Sequence, residues 1–128
     1  MKMQLKKVLI IEGNAKWRIE YLKQLDGIVK ILFAKTLEEA NKIFENNYEI
    51  LNAVAIISHI NSDEINTISL VKKISAKLPE TIPIFAVTVT LEDRQPLINA
   101  GCTHGCSKKD FPKELCEVLN LDFNEYRN

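Results

Sequence analysis

The run Ala53-Val54-Ala55-Ile56-Ile57-Ser58-His59-Ile60-Asn61 constrains this chain more than any other stretch, because its apolar stretch stops abruptly at a serine and a histidine. A short continuous apolar run bounded by polar residues suits the central strand of a parallel sheet covered by helices on both faces. In an open α/β sheet the chemistry lies beyond the carboxyl ends of the strands. Ser58, which ends this strand, therefore stands where a reactive group is expected.

The flanking sequence supplies the rest of such a sheet. Val8 to Ile11 reads as a buried strand, after which Glu12-Gly13-Asn14 offers Asn14 as a helix N-cap. From Ala15 to about Leu25 the spacing of Ile19, Leu22 and Leu25 predicts a helix with that stripe inward and with Trp17 and Tyr21 at its flanks, where they cover the core edge or form a partner surface. Asp26-Gly27 punctuates the chain, and Ile28 to Ala34 predicts a second strand nearer the sheet edge. Thr36-Leu37-Glu38-Glu39 is a capping-box pattern, followed by the stripe Leu37, Ala40, Ile43 and Phe44 and closed by Asn46-Asn47. Beyond the central strand, Ile68, Val71, Ile74 and Leu78 recur at helical spacing up to Pro79, and Ile82 to Thr88 reads as a fourth strand. Thr90-Leu91-Glu92-Asp93 starts another helix, which Pro96 is expected to shorten or kink and Ala100-Gly101 to end. Thr103 to Ser107 is a short fifth strand. A last helix from about Phe111 carries Leu115, Val118 and Leu119, and the tail past Leu121 is expected to fray. Strand followed by helix, five times over, predicts an α/β fold: a doubly wound five-stranded parallel sheet with helices on both faces.

Composition narrows the function. The 128 residues suit one domain, with an ordered core expected over about 6–121. Seventeen basic residues balance 17 acidic ones, so no basic stripe favours a nucleic-acid backbone. No apolar run approaches the roughly 20 residues of a membrane span. The amino terminus leads straight into a strand without a signal-peptide pattern, and the three cysteines are unevenly spaced; a cytoplasmic protein is expected. Glycine-rich phosphate cradles are absent, which argues against a nucleotide-binding enzyme.

With strands and spacings laid out, the chain resembles, over nearly its whole length, the receiver domain of bacterial two-component response regulators. The resemblance implies a flavodoxin-like sheet of order 2-1-3-4-5 and a single receiver-like domain over 1–128. The family moves a phosphoryl group from a kinase histidine to an aspartate at the end of the third strand. It uses an acidic pair after strand one, a threonine or serine after strand four and a lysine before proline after strand five. Val8-Leu9-Ile10-Ile11-Glu12-Gly13 places Glu12 and Gly13 at the acidic pair, so one carboxylate is lengthened and the other lost. Ser58 falls at the phosphoacceptor. Pro83-Ile84-Phe85-Ala86-Val87-Thr88 keeps the hydroxyl as Thr88, and Lys108 is kept but followed by Lys109 instead of proline, so an ordinary trans peptide is expected there. The aromatic switch position, three before the lysine, is Gly105.

Physical chemistry points the same way. Phosphoryl transfer to aspartate needs Mg²⁺, which prefers octahedral oxygen ligation built around carboxylates. Here Glu12 and Lys108 balance each other without a metal, so Mg²⁺ binding is expected to be lost and no cofactor is expected. Ser58 is a poor nucleophile without a base, and His59, its strand neighbour, should turn to the opposite face. Asp63 reads as a loop carboxylate or helix cap. Cys102, His104 and Cys106 alternate, so in an extended strand all three would share one face and offer soft metal ligands, although small cysteines are more often packing residues. The leading reading is a non-enzymatic pseudo-receiver that binds a protein partner, a histidine kinase or downstream signalling protein, without aspartyl phosphorylation. Its output face would be the fourth helix, fifth strand and fifth helix, the protein being a monomer or weak homodimer through that face. Two rivals stand beside it: a phosphorelay receiver with an atypical acceptor, and a metal or redox sensor using Cys102, His104 and Cys106.

Overall fold

Three runs of buried aliphatic residues form the middle of the sheet in the computed structural model, which describes residues 4–57 and 66–123. They are β1 (Lys6–Ile11), β3 (Ala53–Ile57) and β4 (Ile84–Val87). Every residue of β3 and β4 is buried, as a strand covered on both faces requires. Edge strands β2 (Val29–Ala34) and β5 (His104–Cys106) complete a parallel sheet of order β2-β1-β3-β4-β5. This is the expected order. The third and fourth strands are shorter than the sequence suggests; the residues after Ile57 lie outside the described part, and Ile82 turns back to Pro79 through a backbone bond.

Strand alternation sends odd and even residues to two separate cores. Leu9, Ile11, Val54, Ile56 and Ala86 pack with Leu37, Ala40 and Phe44 of α2 (Leu37–Asn47), with Leu70, Val71 and Ile74 of α3 (Thr67–Lys77), and with Leu97 of α4 (Leu91–Ala100). On the other face Val8, Ile10, Ala55, Ile57, Phe85 and Val87 meet Tyr21 and Leu25 of α1 (Ala15–Leu25) and Phe111, Leu115 and Cys116 of α5 (Phe111–Val118). No helix among the described residues is long and apolar enough to cross a membrane.

The caps read from sequence are in place. Asn14 Oδ1 accepts from the N–H groups of Lys16 and Trp17, Thr36 Oγ1 from Glu39 and Thr90 Oγ1 from Asp93. Such caps are worth about 1 kcal/mol each. The capping box of α2 is displaced by one residue, because Glu39 accepts from the N–H of Lys35.

Three expectations need correction. The inward stripe of α1 is Tyr21 and Leu25, with Trp17 packed beside them, whereas Ile19 and Leu22 are 55% and 50% exposed. Tyr21 and Leu25 join the core of that sheet face with Trp17 packed against it, so the aromatic side of the helix lies inward and the aliphatic stripe outward. Helix α4 continues through Pro96 to Ala100, so the proline does not shorten it. The carbonyl that loses its helical donor there belongs to Glu92, an exposed residue that solvent satisfies. Cys102 does not share a face with the other two candidate ligands: it precedes β5 and is buried in the α2/α3/α4 core, while Cys106 is buried in the α1/α5 core. The alternation assumed a strand from Thr103, but β5 begins only at His104.

Candidate functional site

Glu12 follows the last residue of β1, and its N–H still donates to the Ala34 carbonyl at 2.9 Å, so the sheet ladder itself aims the side chain. The residue is 1% exposed. Its Oε1 accepts from the Asn14 N–H at 3.1 Å and lies 3.5 Å from Lys108 Nζ, while among the described residues Oε2 is buried without a hydrogen-bond partner. Burial pushes this carboxyl above its ordinary range; the Lys108 ammonium and the Asn14 N–H pull it back without cancelling that rise. Gly13 beside it adds no side chain.

Lys108 is fixed from three directions. Its ammonium pairs with Glu12, it stands 5.6 Å from the centroid of the Trp17 ring, and its carbonyl accepts from the Tyr21 hydroxyl at 2.9 Å. The peptide to Lys109 is trans, as expected for a bond not made to proline. Tyr21 is wholly buried, and its phenol is held well above the ordinary range by burial and by the Glu12 charge. Behind it, Phe111 packs edge-on against Tyr21 and against Phe85, and Phe85 stacks with His104. The site lysine is thus carried by an aromatic core. Trp17 and Tyr21 cover that core edge, the first of the two roles the sequence left open.

Across the sheet, Thr88 continues β4 with its N–H on the Cys106 carbonyl at 3.1 Å. Its buried hydroxyl donates to the Thr90 carbonyl at 2.8 Å. Arg94, one turn into α4, reaches back: Nε donates to Thr88 Oγ1 at 3.3 Å and Nη2 to the Thr88 carbonyl at 3.2 Å. The arginine stem lies over Gly105, where a Cβ would come within 2.5 Å of Arg94 Cδ. The absence of a side chain at Gly105 therefore makes room for Arg94. Sequence reasoning missed both Arg94 and Arg18, whose Nη1 donates to the Glu12 carbonyl at 2.9 Å. The available signal was an arginine four residues after each N-cap, Asn14 and Thr90, facing the site end of the sheet.

The structure brings together Glu12, Gly13 and Lys108 at one side of the site and Thr88 and Gly105 at the other. Ser58, His59 and Asp63 lie outside the described residues. Among the described residues no three histidine, cysteine or acidic side chains cluster closely enough to hold a metal ion. Among the described residues the donor set there is a single carboxylate, already paired with a lysine, beside a glycine, a set that does not fit Mg²⁺. Burial pushes the thiols of Cys102 and Cys106 up to about 12 and that of Cys116 up to about 11, so they stay protonated near neutrality.

No family model and no curated protein matches the sequence. Solved structures do. The chain superposes with a TM-score of 0.70 on a response regulator receiver domain protein from Clostridium thermocellum, at 18% identity over 91% of this chain and 95% of that one. A CheY-like receiver domain protein from Methanospirillum hungatei is similar over 91% of this chain and 92% of its own, with a TM-score of 0.68 and 23% identity. A two-component response regulator from Clostridium difficile gives a TM-score of 0.70 at 24% identity, over 90% and 96% of the two chains. Sheet order, helix placement and these superpositions agree that this chain has the fold of response-regulator receiver domains.

Proposed function

We propose that this chain is a signalling module of response-regulator type that binds a protein partner without aspartyl phosphorylation. The observation that carries the reading is the closed charge balance of the site: Glu12 is paired with Lys108, and Gly13 contributes no second carboxylate. A receiver that takes up phosphate needs a surplus of negative charge there, which Mg²⁺ then neutralises. Here a bound Mg²⁺ would have to displace Lys108 from the one carboxylate available, so the protein works without the metal. Ser58 replaces the acceptor carboxylate, and its hydroxyl has no activating base in the reading above.

Arg94 supports the same conclusion from the switch side. It occupies the space over Gly105 and holds both polar groups of Thr88, the hydroxyl that in a phosphorylated receiver would move toward the phosphoryl group. With that hydroxyl engaged, the conformation that the partner recognises is the one already populated. The partner is a protein of two-component signalling, a histidine kinase or a downstream component, and it docks on the face of α4, β5 and α5. Catalysis, nucleic acid and membrane have no part in this reading.

Intact mass measured after incubation with a small phosphodonor and Mg²⁺ tests it. Wild type is expected to gain no phosphoryl group, and Ser58→Asp alone to gain none either, because Gly13 still leaves the cation short of a ligand. A phosphoryl adduct on wild type that disappears in Ser58→Ala would overturn the proposal in favour of a phosphorelay receiver with an atypical acceptor.

A further inference from the structure

We infer that the cleft beneath the amino ends of β1, β3, β4 and β5 binds a small zwitterion of the free amino acid class. The cleft lies at the end of the sheet opposite Glu12 and Lys108 and closes against the carboxyl end of α5. Its volume is about 280 Å³. That is roughly the room that nine waters take in the liquid, enough for a compound of amino-acid size and too little for a nucleotide.

Three polar side chains on its wall are held in place before any ligand arrives. Lys6 Nζ donates to the Leu119 carbonyl at 3.0 Å, at the negative end of the α5 dipole. Asn52, just ahead of β3, accepts the Lys7 N–H on Oδ1 at 2.8 Å and returns its own N–H to the Lys7 carbonyl at 2.8 Å. His104 stacks on Phe85 with ring centroids 5.1 Å apart, and its Nδ1 lies 2.8 Å from Thr103 Oγ1. Thr103 has one hydroxyl proton to place. The Ile84 carbonyl, 3.4 Å from that oxygen, already accepts from the Thr103 N–H at 2.8 Å, so the proton goes to His104 Nδ1 and the neutral ring carries its N–H on Nε2.

Each anchor leaves a donor over. Lys6 keeps two ammonium protons, Asn52 its side-chain NH₂ and His104 the Nε2–H. Three fixed side chains from three parts of the chain thus offer donors, one of them charged, and a carboxylate is their complement. Glu80, on the same wall, is the one carboxylate among the described lining residues. It suits an ammonium and repels a second negative charge. One cation and one anion together therefore favour a zwitterion over a phosphate or a dicarboxylate. Anchoring is what separates this cleft from ordinary polar surface, because donors held beforehand remove part of the ordering cost of binding. Lys6, Glu80 and His104 are solvent-exposed, so screening sets the expected dissociation constant near about 1 mM.

Titrating the free L-amino acids, one at a time, into ¹⁵N-labelled protein and following the amide shifts tests the site, with acetate, ethylammonium and inorganic phosphate as comparison ligands. At least one amino acid is expected to give saturable shifts at Lys7, Asn52, Thr103 and Leu119, and to bind about fivefold tighter than any comparison ligand. Lys6→Met and Glu80→Gln, both at exposed positions, should each weaken that binding about fivefold, whereas Lys72→Met on α3 should leave it unchanged. His104→Phe keeps a ring on Phe85 but removes the Nε2–H, and it too should weaken binding. Shifts that fail to saturate for every amino acid overturn the inference. So does tighter binding of phosphate, and so does binding that Lys6→Met, Glu80→Gln and His104→Phe all leave unchanged.

Discussion

Gly105→Ala should be close to neutral while Arg94 is present and stabilising once Arg94 is gone. In the native chain a Cβ at residue 105 lands 2.5 Å from Arg94 Cδ, well inside any real carbon contact, and the arginine stem has to swing away. It then loses the bonds to the Thr88 hydroxyl at 3.3 Å and carbonyl at 3.2 Å. Both are long and Arg94 is partly solvated, so their combined loss costs about 1 kcal/mol and not twice the value of a strong charged bond. Replacing glycine within a strand returns about 0.5–1 kcal/mol of backbone entropy. The two effects nearly cancel, and Gly105→Ala alone should be close to neutral. In an Arg94→Ala background the clash and the bonds are already gone, so the same substitution should stabilise by about 0.5–1 kcal/mol. Urea unfolding followed by the fluorescence of the single tryptophan, Trp17, gives all four corners of the cycle, provided that m stays constant. Equal effects of Gly105→Ala in both backgrounds, within about 0.3 kcal/mol, would refute the claim that glycine is there to seat Arg94.

Glu12 should give stability a descending dependence on pH. Its folded pKa is raised above the ordinary 4.5, so the folded chain binds the extra proton; the stabilisation is full below 4.5 and is lost as pH rises through the folded value, a slope that Glu12→Gln should remove from a set of urea midpoints. Tyr21→Phe should cost about 1 kcal/mol through the lost bond to the Lys108 carbonyl, measured by the same unfolding. In an alkaline absorbance titration the Tyr21 phenol should resist ionisation above the ordinary tyrosine range, and ionisation within that range would mean that its ring is not buried. At mildly alkaline pH, Cys102, Cys106 and Cys116 should react with a thiol reagent only after denaturant is added, and rapid native labelling would contradict their burial.

Much of the architecture could be read along the chain, for reasons local to it. Continuous apolar runs at Val8–Ile11, Ala53–Ile57 and Ile84–Val87 mark strands buried on both faces, and the oxygens of Asn14, Thr36 and Thr90 cap whatever helix follows them. The pairing of Glu12 with Lys108 was also within reach, since the topology of alternating strands and helices gathers strand ends at one edge of the sheet. Other features depended on which elements became neighbours. Ile19 and Leu22 have the spacing of a buried face, yet the inward side of α1 went to Tyr21 and Leu25, with the Tyr21 ring edge-on against Phe111 of α5, a neighbour that periodicity cannot announce. Cys102 and Cys106 alternate in sequence but entered opposite cores, because the chain between them becomes a strand only at His104. Arg94 and Gly105 are complementary in a way that no spacing could announce: one supplies a side chain and the other its absence, and only the packing of α4 beside β5 brings the two together.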